Sequence, residues 1–355
     1  PAGRIERYLA ALTAEIRLQA RRPSVRAAVF RTVHFGGGTP SLLEPDQFLR
    51  LWGVLREHFA LAPDAEIALE ANPDHLNEAR LAAWLAAGVT RLSIGVQAVQ
   101  ARLLRTLGRH HSWEAVVAGY RRARALGFTN VNLDLMFGLP GQTLEDWDET
   151  LSEVLALAPD LPEHLSCYGL QVEPGTLFSR WQREGRLPLP GDDSERRMYE
   201  HACARLAAAG YQHYEISNFA RPGFASRHNV NYWAFGAYLG VGAGAASHWQ
   251  GERWSNERDL GAYSRSLSAG RLPIAEHDPR DERTRMAEML MLGTRLVEGL
   301  PHAWFREVFG RRPDEVFADA LAQLEQRGLL CVEDDRIVLT AEGRLLANEV
   351  WLALL

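Results

Sequence analysis

The residue types most able to bind a small ligand lie at or near the ends of predicted strands. Three glycines and a threonine follow an apolar run, and polar side chains lie at or near the ends of three further strands: Gly36, Gly37, Gly38, Thr39, Glu70, Gln97 and Asp134. Glycines bring bare backbone amides close to a ligand, and carboxylate or amide oxygens accept hydrogen bonds from hydroxyl or ammonium groups. Because loops at the carboxyl ends of parallel strands meet at one edge, we predict a ligand site there.

Each of these residues also has an ordinary structural interpretation. The glycine segment could be a tight turn, or a phosphate-binding loop without the usual Lys-Ser/Thr pair. A strand-end carboxylate often caps the next helix. Arg109 could bind a ligand carboxylate through two parallel hydrogen bonds, or form a surface ion pair instead. Only the set taken together favours a binding site.

Strands and helices alternate over the first half of the chain. Predicted strands cover residues 32–35, 66–70, 90–96, 131–136 and 164–170, and predicted helices cover residues 48–59, 76–87, 113–126 and 144–157. This alternation is typical of βα units built on a parallel sheet. We therefore predict the α/β fold class, with an open, partial βα barrel of the TIM type.

The pattern changes after residue 171. A helix is predicted over residues 194–208, and residues 211–254 are rich in aromatic residues and glycine and are predicted to be irregular. From residue 283 the order is three helices, a hairpin and a last helix, which resembles a winged helix. We predict two domains, residues 1–270 for the barrel with its extension and residues 280–355 for a small winged-helix-like α+β domain.

Composition excludes several classes of function. A net charge of −6 argues against nucleic acid as a partner, and the helix that would enter a DNA groove carries acidic residues. No run of about 18 apolar residues occurs. The first 20 residues indicate a charged amphipathic helix rather than a signal peptide. The three cysteines, Cys167, Cys203 and Cys331, are too far apart for a disulfide framework, so we expect a cytoplasmic protein.

Several ordered motifs resemble the radical SAM proteins of the coproporphyrinogen III oxidase-like family. After the glycine segment they are Glu70-Ala71-Asn72-Pro73, Ser93-Ile94-Gly95-Val96-Gln97, Leu107-Gly108-Arg109, the run from Asn132 to Gln142, Tyr168-Gly169-Leu170 and Glu173-Pro174-Gly175-Thr176. The resemblance covers almost the whole chain. It implies a radical SAM barrel without its first strand, followed by a HemN-type C-terminal domain. It also implies S-adenosylmethionine contacts at Gly36, Gly37, Gly38, Thr39, Glu70, Gln97, Arg109 and Asp134.

The family's iron–sulfur ligands have no counterpart in this sequence. Radical SAM proteins hold a [4Fe–4S] cluster on three cysteines spaced Cys-x3-Cys-x2-Cys, and no such spacing occurs here. We expect an N-terminal truncation, with a naturally cluster-free relative as the alternative. We predict no metal ligands in this chain, and a cluster only in the intact protein.

One segment resembles the haem-chaperone branch of the family. Residues 227–233, Arg-His-Asn-Val-Asn-Tyr-Trp, match its His-Asn-x-x-Tyr-Trp signature. A histidine can supply an axial nitrogen to haem iron, and aromatic residues can cover a porphyrin face. The resemblance therefore implies haem binding with His228 as ligand. The alternatives are a structural histidine, or ligation by one of the others, among them His110, His111, His164, His213 and His248.

The implied function is to bind haem and deliver it to apo-haem proteins such as cytochromes, with S-adenosylmethionine and the cluster supporting that role. The protein would then be a carrier without catalytic residues. The alternative is an oxygen-independent coproporphyrinogen III oxidase, which would decarboxylate a porphyrinogen. Membrane association through clients and a homodimer stay open.

Overall fold

The computed structural model describes residues 2–355, and strands alternate with helices through its first half. The elements up to residue 169 are α1 (Ala2–Gln19), α2 (Pro23–Arg26), β1 (Val29–Phe35), α3 (Pro45–His58), β2 (Ala60–Ala71), α4 (Glu78–Ala86), β3 (Arg91–Gln97), α5 (Ala101–Thr106), α6 (Trp113–Leu126), β4 (Val131–Phe137), α7 (Leu144–Leu155) and β5 (His164–Gly169). Every strand and helix predicted over this half is present, with ends shifted by a few residues.

The second half contains shorter elements. They are α8 (Leu177–Arg183), α9 (Asp192–Ala208), β6 (Gln212–Glu215), β7 (Asn218–Ala220), α10 (Arg227–Trp233), β8 (Ala246–Trp249), β9 (Glu252–Asn256), α11 (Leu260–Ser268), β10 (Ile274–His277), α12 (Glu282–Gly293), β11 (Leu300–Pro301), α13 (His302–Phe309), α14 (Pro313–Gln326), β12 (Leu330–Val332), β13 (Arg336–Leu339), α15 (Ala341–Leu345) and α16 (Ala347–Leu354).

Local signals in the sequence set the helix ends of the barrel. The Ser112 hydroxyl accepts a hydrogen bond from the first turn of α6, and Gly127 ends that helix at φ 113°, a conformation that favours glycine. At α7, Thr143 and Asp146 exchange side-chain hydrogen bonds with each other's backbone in a capping box. These helices therefore begin and end where their own residues dictate.

The main sheet has seven strands in the order β1-β2-β3-β4-β5-β7-β6. β2, β3, β4 and β5 pair in parallel, and β7 and β6 continue the sheet in antiparallel fashion. Helices follow the parallel strands and cover them, as βα units require. This half-barrel confirms the predicted α/β class and open βα barrel.

The described chain divides into two compact units, each built from separated stretches of sequence. We call Gly38–Leu42 with Ala68–Ala225 the barrel unit. We call the remainder, which includes Leu43–Ile67 and Ser226–Leu355, the flanking unit. The predicted division into residues 1–270 and 280–355 stays a prediction.

Each unit has its own core. In the barrel unit the strands carry fully buried aliphatic residues such as Leu92, Ile94 and Leu133, and Trp84 and Trp147 are buried on the helices. In the flanking unit the α1 side chains Leu12 and Ile16 are buried, as are Phe48, Tyr263 and Phe305. Strands buried on both faces carry nearly continuous apolar sequence, as the barrel strands do here.

The prediction of irregular structure over residues 211–254 is wrong. This stretch contains β6, β7, α10, β8 and most of β9, and β8, β9 and β10 form a three-stranded antiparallel sheet. The strands have only three to five residues each, which is too short for an alternating pattern to stand out.

The C-terminal part of the flanking unit is a small α+β arrangement. β11, β13 and β12 form a three-stranded sheet, with α12, α13 and α14 before the hairpin and α15 and α16 after it. The predicted three helices and hairpin are present, whereas the single last helix that was predicted is two short helices, and the short strand β11 was not predicted. None of the described helices is both long and apolar enough to cross a bilayer.

Candidate functional site

The polar strand ends of the barrel unit lie on adjacent strands. Glu70 on β2 pairs in register with Ser93 on β3, and Gly95 pairs with Asp134 on β4. Parallel strands place these positions at the same edge of the sheet. The structure therefore brings Glu70, Gln97 and Asp134 to one edge of the barrel, as the sequence predicts.

Asp134 is the centre of a hydrogen-bond network. Its Oδ1 accepts from Asn132 Nδ2 at 2.7 Å, and its Oδ2 accepts from Ser93 Oγ at 3.1 Å. Burial and the nearby charge of Glu70 raise the pKa of Asp134, although the hydrogen bonds oppose the shift. The carboxylate is thus held in one orientation, and a cationic ligand would stabilise its ionised form.

Gln97 has a strained backbone. Its φ of 68° is rare for a residue with a side chain, and the β3–β4 register shifts between Gly95 and Gln97. A Cβ at Gly95 would lie 3.1 Å from Gln97 Nε2, so the missing side chain at Gly95 leaves space for the glutamine. Strain of this kind is common at ligand sites, where the surrounding structure holds it in place.

A short loop carries Arg109 beside the end of β3. Gly108 adopts φ 69°, and the Arg109 amide donates to the Leu104 carbonyl at 2.8 Å. The loop is fixed to β3 by a hydrogen bond of 3.1 Å between His111 Nε2 and the Val96 carbonyl. Arg109 is partly exposed, so its guanidinium can reach an anionic group of a ligand.

The glycine segment is divided between the two units. Gly36 and Gly37 belong to the flanking unit, whereas Gly38 and Thr39 belong to the barrel unit. Within the barrel unit, buried Ser41 fixes this segment to the end of β2, because its Oγ accepts from the Asn72 amide at 3.0 Å. Sequence analysis did not single out Ser41.

The barrel-unit residues fit S-adenosylmethionine. Glu70, Asp134 and Gln97 offer acceptors for an ammonium and for ribose hydroxyls, and Arg109 offers donors for a carboxylate. No atom lies within 4 Å of the position that a Cβ would take on Gly38, so the backbone there is open to close approach. The donor and acceptor types suit the ammonium, ribose and carboxylate groups of this molecule.

The described residues do not fit a [4Fe–4S] cluster. Cys167 is buried on β5, Cys203 lies on α9 and Cys331 is exposed on β12. Residues 2–355 contain no group of three or more histidine, cysteine or acidic side chains placed to hold a metal ion. Such a cluster needs several thiolates at one place.

His228, in the flanking unit, has partners on both ring nitrogens. Nδ1 forms a hydrogen bond of 3.0 Å with Thr32 Oγ1, and Nε2 forms one of 3.0 Å with Tyr232 Oη. The ring also stacks on His34 at 4.8 Å between centroids. Burial, with a smaller contribution from His34, lowers the pKa of His228 to about 4. The ring is therefore neutral and firmly held.

The backbone around His228 is fixed by a carboxylate that sequence analysis missed. Glu66, on β2, accepts hydrogen bonds from the amides of Arg227 and His228 at 3.2 and 3.0 Å. Ser226 caps the same helix, α10, through its hydroxyl. Only the fold brings Glu66 to residues more than 160 positions further along the chain.

The other candidate histidines differ in the state of their ring nitrogens. The fully buried His164 bonds Asn132 at 2.7 Å and Tyr214 at 2.9 Å, and His213 Nε2 bonds the Ile216 carbonyl at 3.2 Å. His110 is exposed and His111 is bound to β3. The ring of His248 has one hydrogen bond among the described residues, from Nδ1 to the Gly236 carbonyl at 3.4 Å.

A cavity of about 280 Å³ lies beside α10 in the flanking unit. Tyr232 and Trp233 of the signature segment line it, together with Phe235, Tyr238, His248 and residues of β9 and α12. Aromatic walls with a few convergent polar groups are typical of small-molecule sites. His228 itself is not among the lining residues.

Comparison with known proteins assigns the chain to a family. Residues 4–154 match the model of the Radical SAM superfamily, and residues 281–346 match the HemN C-terminal domain. The chain is 41% identical to the Heme chaperone HemW of Mycobacterium tuberculosis over 350 residues, which are 99% of this chain and 86% of the relative. It is 38% identical to the Heme chaperone HemW of Bacillus subtilis over 92% of this chain and 85% of the relative.

A solved structure supports the same assignment. Coproporphyrinogen III oxidase HemN from Escherichia coli, described as a Radical SAM enzyme, superposes with a TM-score of 0.84 at 27% identity. The match covers 99% of this chain and 83% of that one. The predicted family resemblance is confirmed. The chain belongs to the radical SAM superfamily and, within it, to the HemW family.

Proposed function

We propose that this protein is a haem chaperone, which binds haem and delivers it to apo-haem proteins such as cytochromes. The observation that carries the proposal is the identity of 41% to a relative named as a haem chaperone, over nearly the whole chain. The His-Asn-x-x-Tyr-Trp segment supports it, since it forms a helix that lines an aromatic cavity.

Within this proposal two imidazoles are candidates for the iron. The sequence favours His228, but ligation by its Nε2 requires the bond to Tyr232 to break, and ligation by Nδ1 requires loss of the bond to Thr32. His248 lines the cavity, and its Nε2 has no hydrogen bond within the described structure. The proposal of haem binding does not depend on which of the two is the ligand.

We infer that the barrel unit holds S-adenosylmethionine. Glu70, Gln97 and Asp134 would bind its ammonium and ribose groups and Arg109 its carboxylate, while Gly38 and Thr39 of the same unit would approach it with backbone groups. The contacts that the family resemblance implies at Gly36 and Gly37 stay predictions. When bound, this molecule supplies a sulfonium carbon–sulfur bond that a strong reductant can cleave. The role of this chain's residues is to orient it and to offset its positive charge.

The net charge of −6 disfavours nucleic acid as a partner, and exposed carboxylates on α14 would repel phosphates. The relatives named as haem chaperones support apo-haem proteins as the proposed partners. The proposed location is the cytoplasm. Peripheral membrane association through clients, and a homodimer, stay predictions.

The alternative function, oxygen-independent coproporphyrinogen III oxidase, has less support. The solved HemN oxidase shares 27% identity with this chain, below the 41% of the haem chaperone relative.

A haem titration followed by a transfer assay tests the proposal. We expect saturable binding of haem in the Soret region, followed by loss of haem to an added apo-haem protein such as apomyoglobin. Coproporphyrinogen III should not be consumed in reduced samples with S-adenosylmethionine. Absence of saturable haem binding, or bound haem that is never transferred, would contradict a chaperone, and turnover of the porphyrinogen would support the oxidase.

Replacing Gly95 by alanine is expected to weaken S-adenosylmethionine binding while leaving the fold intact. The new Cβ would lie 3.1 Å from Gln97 Nε2, so the flexible glutamine must move and lose its contact with the ligand. One hydrogen bond contributes about 0.5–1.5 kcal/mol, so the affinity should fall by about 2- to 10-fold. Isothermal titration calorimetry with S-adenosylmethionine measures the change.

Gly53→Ala is the matched control, because Gly53 is helical and no atom lies within 4 Å of the position that a Cβ would take there. It should bind the ligand as the unmodified protein does. Equal affinity in Gly95→Ala would show that Gln97 does not contact S-adenosylmethionine.

A further inference from the structure

We propose that His248 is the residue that ligates haem iron, in the cavity formed by Tyr232, Trp233, Phe235, Tyr238 and α12. This inference rests on the proposed haem-binding function and assigns its ligand. His228 then acts as a positioning residue that orients Tyr232, one wall of the cavity.

The state of the His248 ring carries the argument. Its Nδ1 lies 3.4 Å from the Gly236 carbonyl oxygen. Because a carbonyl oxygen only accepts hydrogen bonds, Nδ1 must carry a proton to bond it. That contact favours the tautomer with the proton on Nδ1 and leaves the Nε2 lone pair bare. A histidine ligand of a metal usually donates its other N–H to a carbonyl in this way, which fixes the ring and raises its basicity.

The surroundings of His248 hold the ring in one orientation. Phe235 and Tyr238 flank the ring at 4.8 and 6.1 Å between centroids. The backbone of His248 pairs with Tyr238 in both directions, at 2.8 and 2.9 Å. The His248 imidazole is thus held in place before haem binds.

His228 differs from His248 in the hydrogen bonds of its ring nitrogens and in its position relative to the cavity. Both nitrogens of His228 are engaged, and the residue does not line the cavity. Its Nε2 bonds Tyr232 Oη, and the Tyr232 ring meets Tyr238 edge-on at 4.7 Å. His228 therefore acts on the cavity through Tyr232, which explains why a signature histidine can matter for haem without touching iron.

The polar floor of the cavity suits the carboxylates of a porphyrin. Buried Glu288 pairs with Arg253 at 2.7 Å, and both residues line the cavity. The Nε atom of Arg253 and the indole nitrogen of Trp233 are buried without a hydrogen-bond partner in the described structure. Buried donors without acceptors are costly, so an acceptor-bearing ligand would stabilise them.

The size of the cavity fits a carrier. A volume of about 280 Å³ is just below the range of about 300–1,000 Å³ that small-molecule sites span, and a whole porphyrin is larger than this cavity. The cavity cannot enclose the macrocycle, so most of the porphyrin would lie outside it. Partial enclosure favours release to a second protein, since less buried surface between haem and this chain has to be separated when haem leaves.

The test compares His248→Ala with His228→Ala by ferric haem titration, Soret position and electron paramagnetic resonance. In His248→Ala we expect the affinity for haem to fall by about tenfold or more. The Soret band should shift toward the position seen for haem that has no nitrogen ligand from the protein. Added imidazole should restore the band, because the deleted ring leaves a space of its own size. His228→Ala should bind a few-fold more weakly with an unchanged band and no response to imidazole.

His58→Ala, in the last turn of α3, is the control and should titrate as the unmodified protein. His248→Gln keeps most of the side-chain volume and tests ligand loss if the alanine variant fails to fold. An unshifted Soret band in a folded His248 variant, or imidazole rescue of His228→Ala instead, would overturn the assignment while leaving haem binding intact. If the unmodified protein binds no haem, the proposed function itself fails.

Discussion

Replacing Glu15 by alanine is expected to lower the free energy of unfolding by about 3–5 kcal/mol. Glu15 is fully buried in α1, and its carboxylate accepts hydrogen bonds from Tyr263 Oη at 2.5 Å, Asn256 Nδ2 at 2.6 Å and the Gly242 amide at 2.7 Å. Alanine would leave all three donors buried without this acceptor. Urea unfolding followed by circular dichroism measures the loss.

Two variants separate this network from a general effect of removing charge on α1. Glu6→Ala removes an exposed carboxylate that pairs with Arg50 on the surface, and should change stability little. Glu15→Gln keeps one acceptor oxygen and should be destabilised by less than the alanine variant. If Glu6→Ala and Glu15→Ala were equally stable, the three buried hydrogen bonds would contribute nothing net.

The protonation of Glu15 adds a pH dependence of known sign. Burial raises the pKa of Glu15 and outweighs the hydrogen bonds that lower it. The folded state then holds the proton more tightly than the unfolded state, whose pKa is about 4.3. The stability that proton binding by Glu15 adds to the folded state is fully present below that value, and it is lost as pH rises through the raised pKa of the folded state. Glu15→Gln should remove this part of the slope.

The Glu15 network also positions the cavity beside α10. Asn256 Nδ2 bonds the Gly242 carbonyl as well as Glu15, so residues 240–245 are fixed on both sides before β8 begins. His248 lies on β8 two residues after its start. A loss of haem affinity in Glu15→Ala would therefore report displacement of β8, which His248→Ala does not cause.

Local signals explain which elements sequence analysis predicted well. The bounds of α6, Trp113–Leu126, match because Ser112 and Gly127 mark its ends in the sequence itself. The strand-end positions of Glu70, Gln97 and Asp134 follow from the same alternation that predicts the barrel. Interactions between residues close in sequence, and patterns of residue types that repeat with a regular period, can be predicted from the sequence alone.

Long-range partners explain what sequence analysis could not predict. Glu15 meets residues more than 220 positions away, and Glu66 meets Arg227 and His228 across 161 and 162 positions. The signature motif drew attention to His228, but only the fold shows that both of its nitrogens are engaged, whereas one nitrogen of His248 has no partner among the described residues. A motif identifies residue types, whereas hydrogen-bond saturation depends on neighbours that the motif does not contain.

Replacing Asp134 by asparagine is expected to lower the affinity for S-adenosylmethionine by about 10- to 100-fold. The change keeps the size of the side chain and removes the charge that Asn132 and Ser93 hold in place. S-adenosylmethionine carries a sulfonium and an ammonium, whereas S-adenosylhomocysteine has a neutral thioether. Calorimetry should therefore show a larger loss for the first ligand than for the second.

Asp160→Asn, an exposed change in the same unit, is the matched control and should bind both ligands normally. An equal loss for the two ligands in Asp134→Asn would mean that the carboxylate acts on the ammonium or the ribose, which both ligands share, and not on the sulfonium. Unchanged affinity for both would remove Asp134 from the binding site.

The raised pKa of Asp134 makes binding and stability respond to pH in opposite directions. Burial and the charge of Glu70 favour the protonated carboxyl in the folded chain, so its contribution to stability is lost as pH rises through the raised pKa. A cationic ligand requires the ionised form, so its affinity should instead increase over that same interval. The part of both dependences that Asp134 supplies should disappear in Asp134→Asn, whereas the part that Glu15 adds to the stability slope should remain. A general loosening of the barrel would move affinity and stability together, so the joint loss of two opposite slopes in Asp134→Asn identifies this carboxylate as the group that meets the cation.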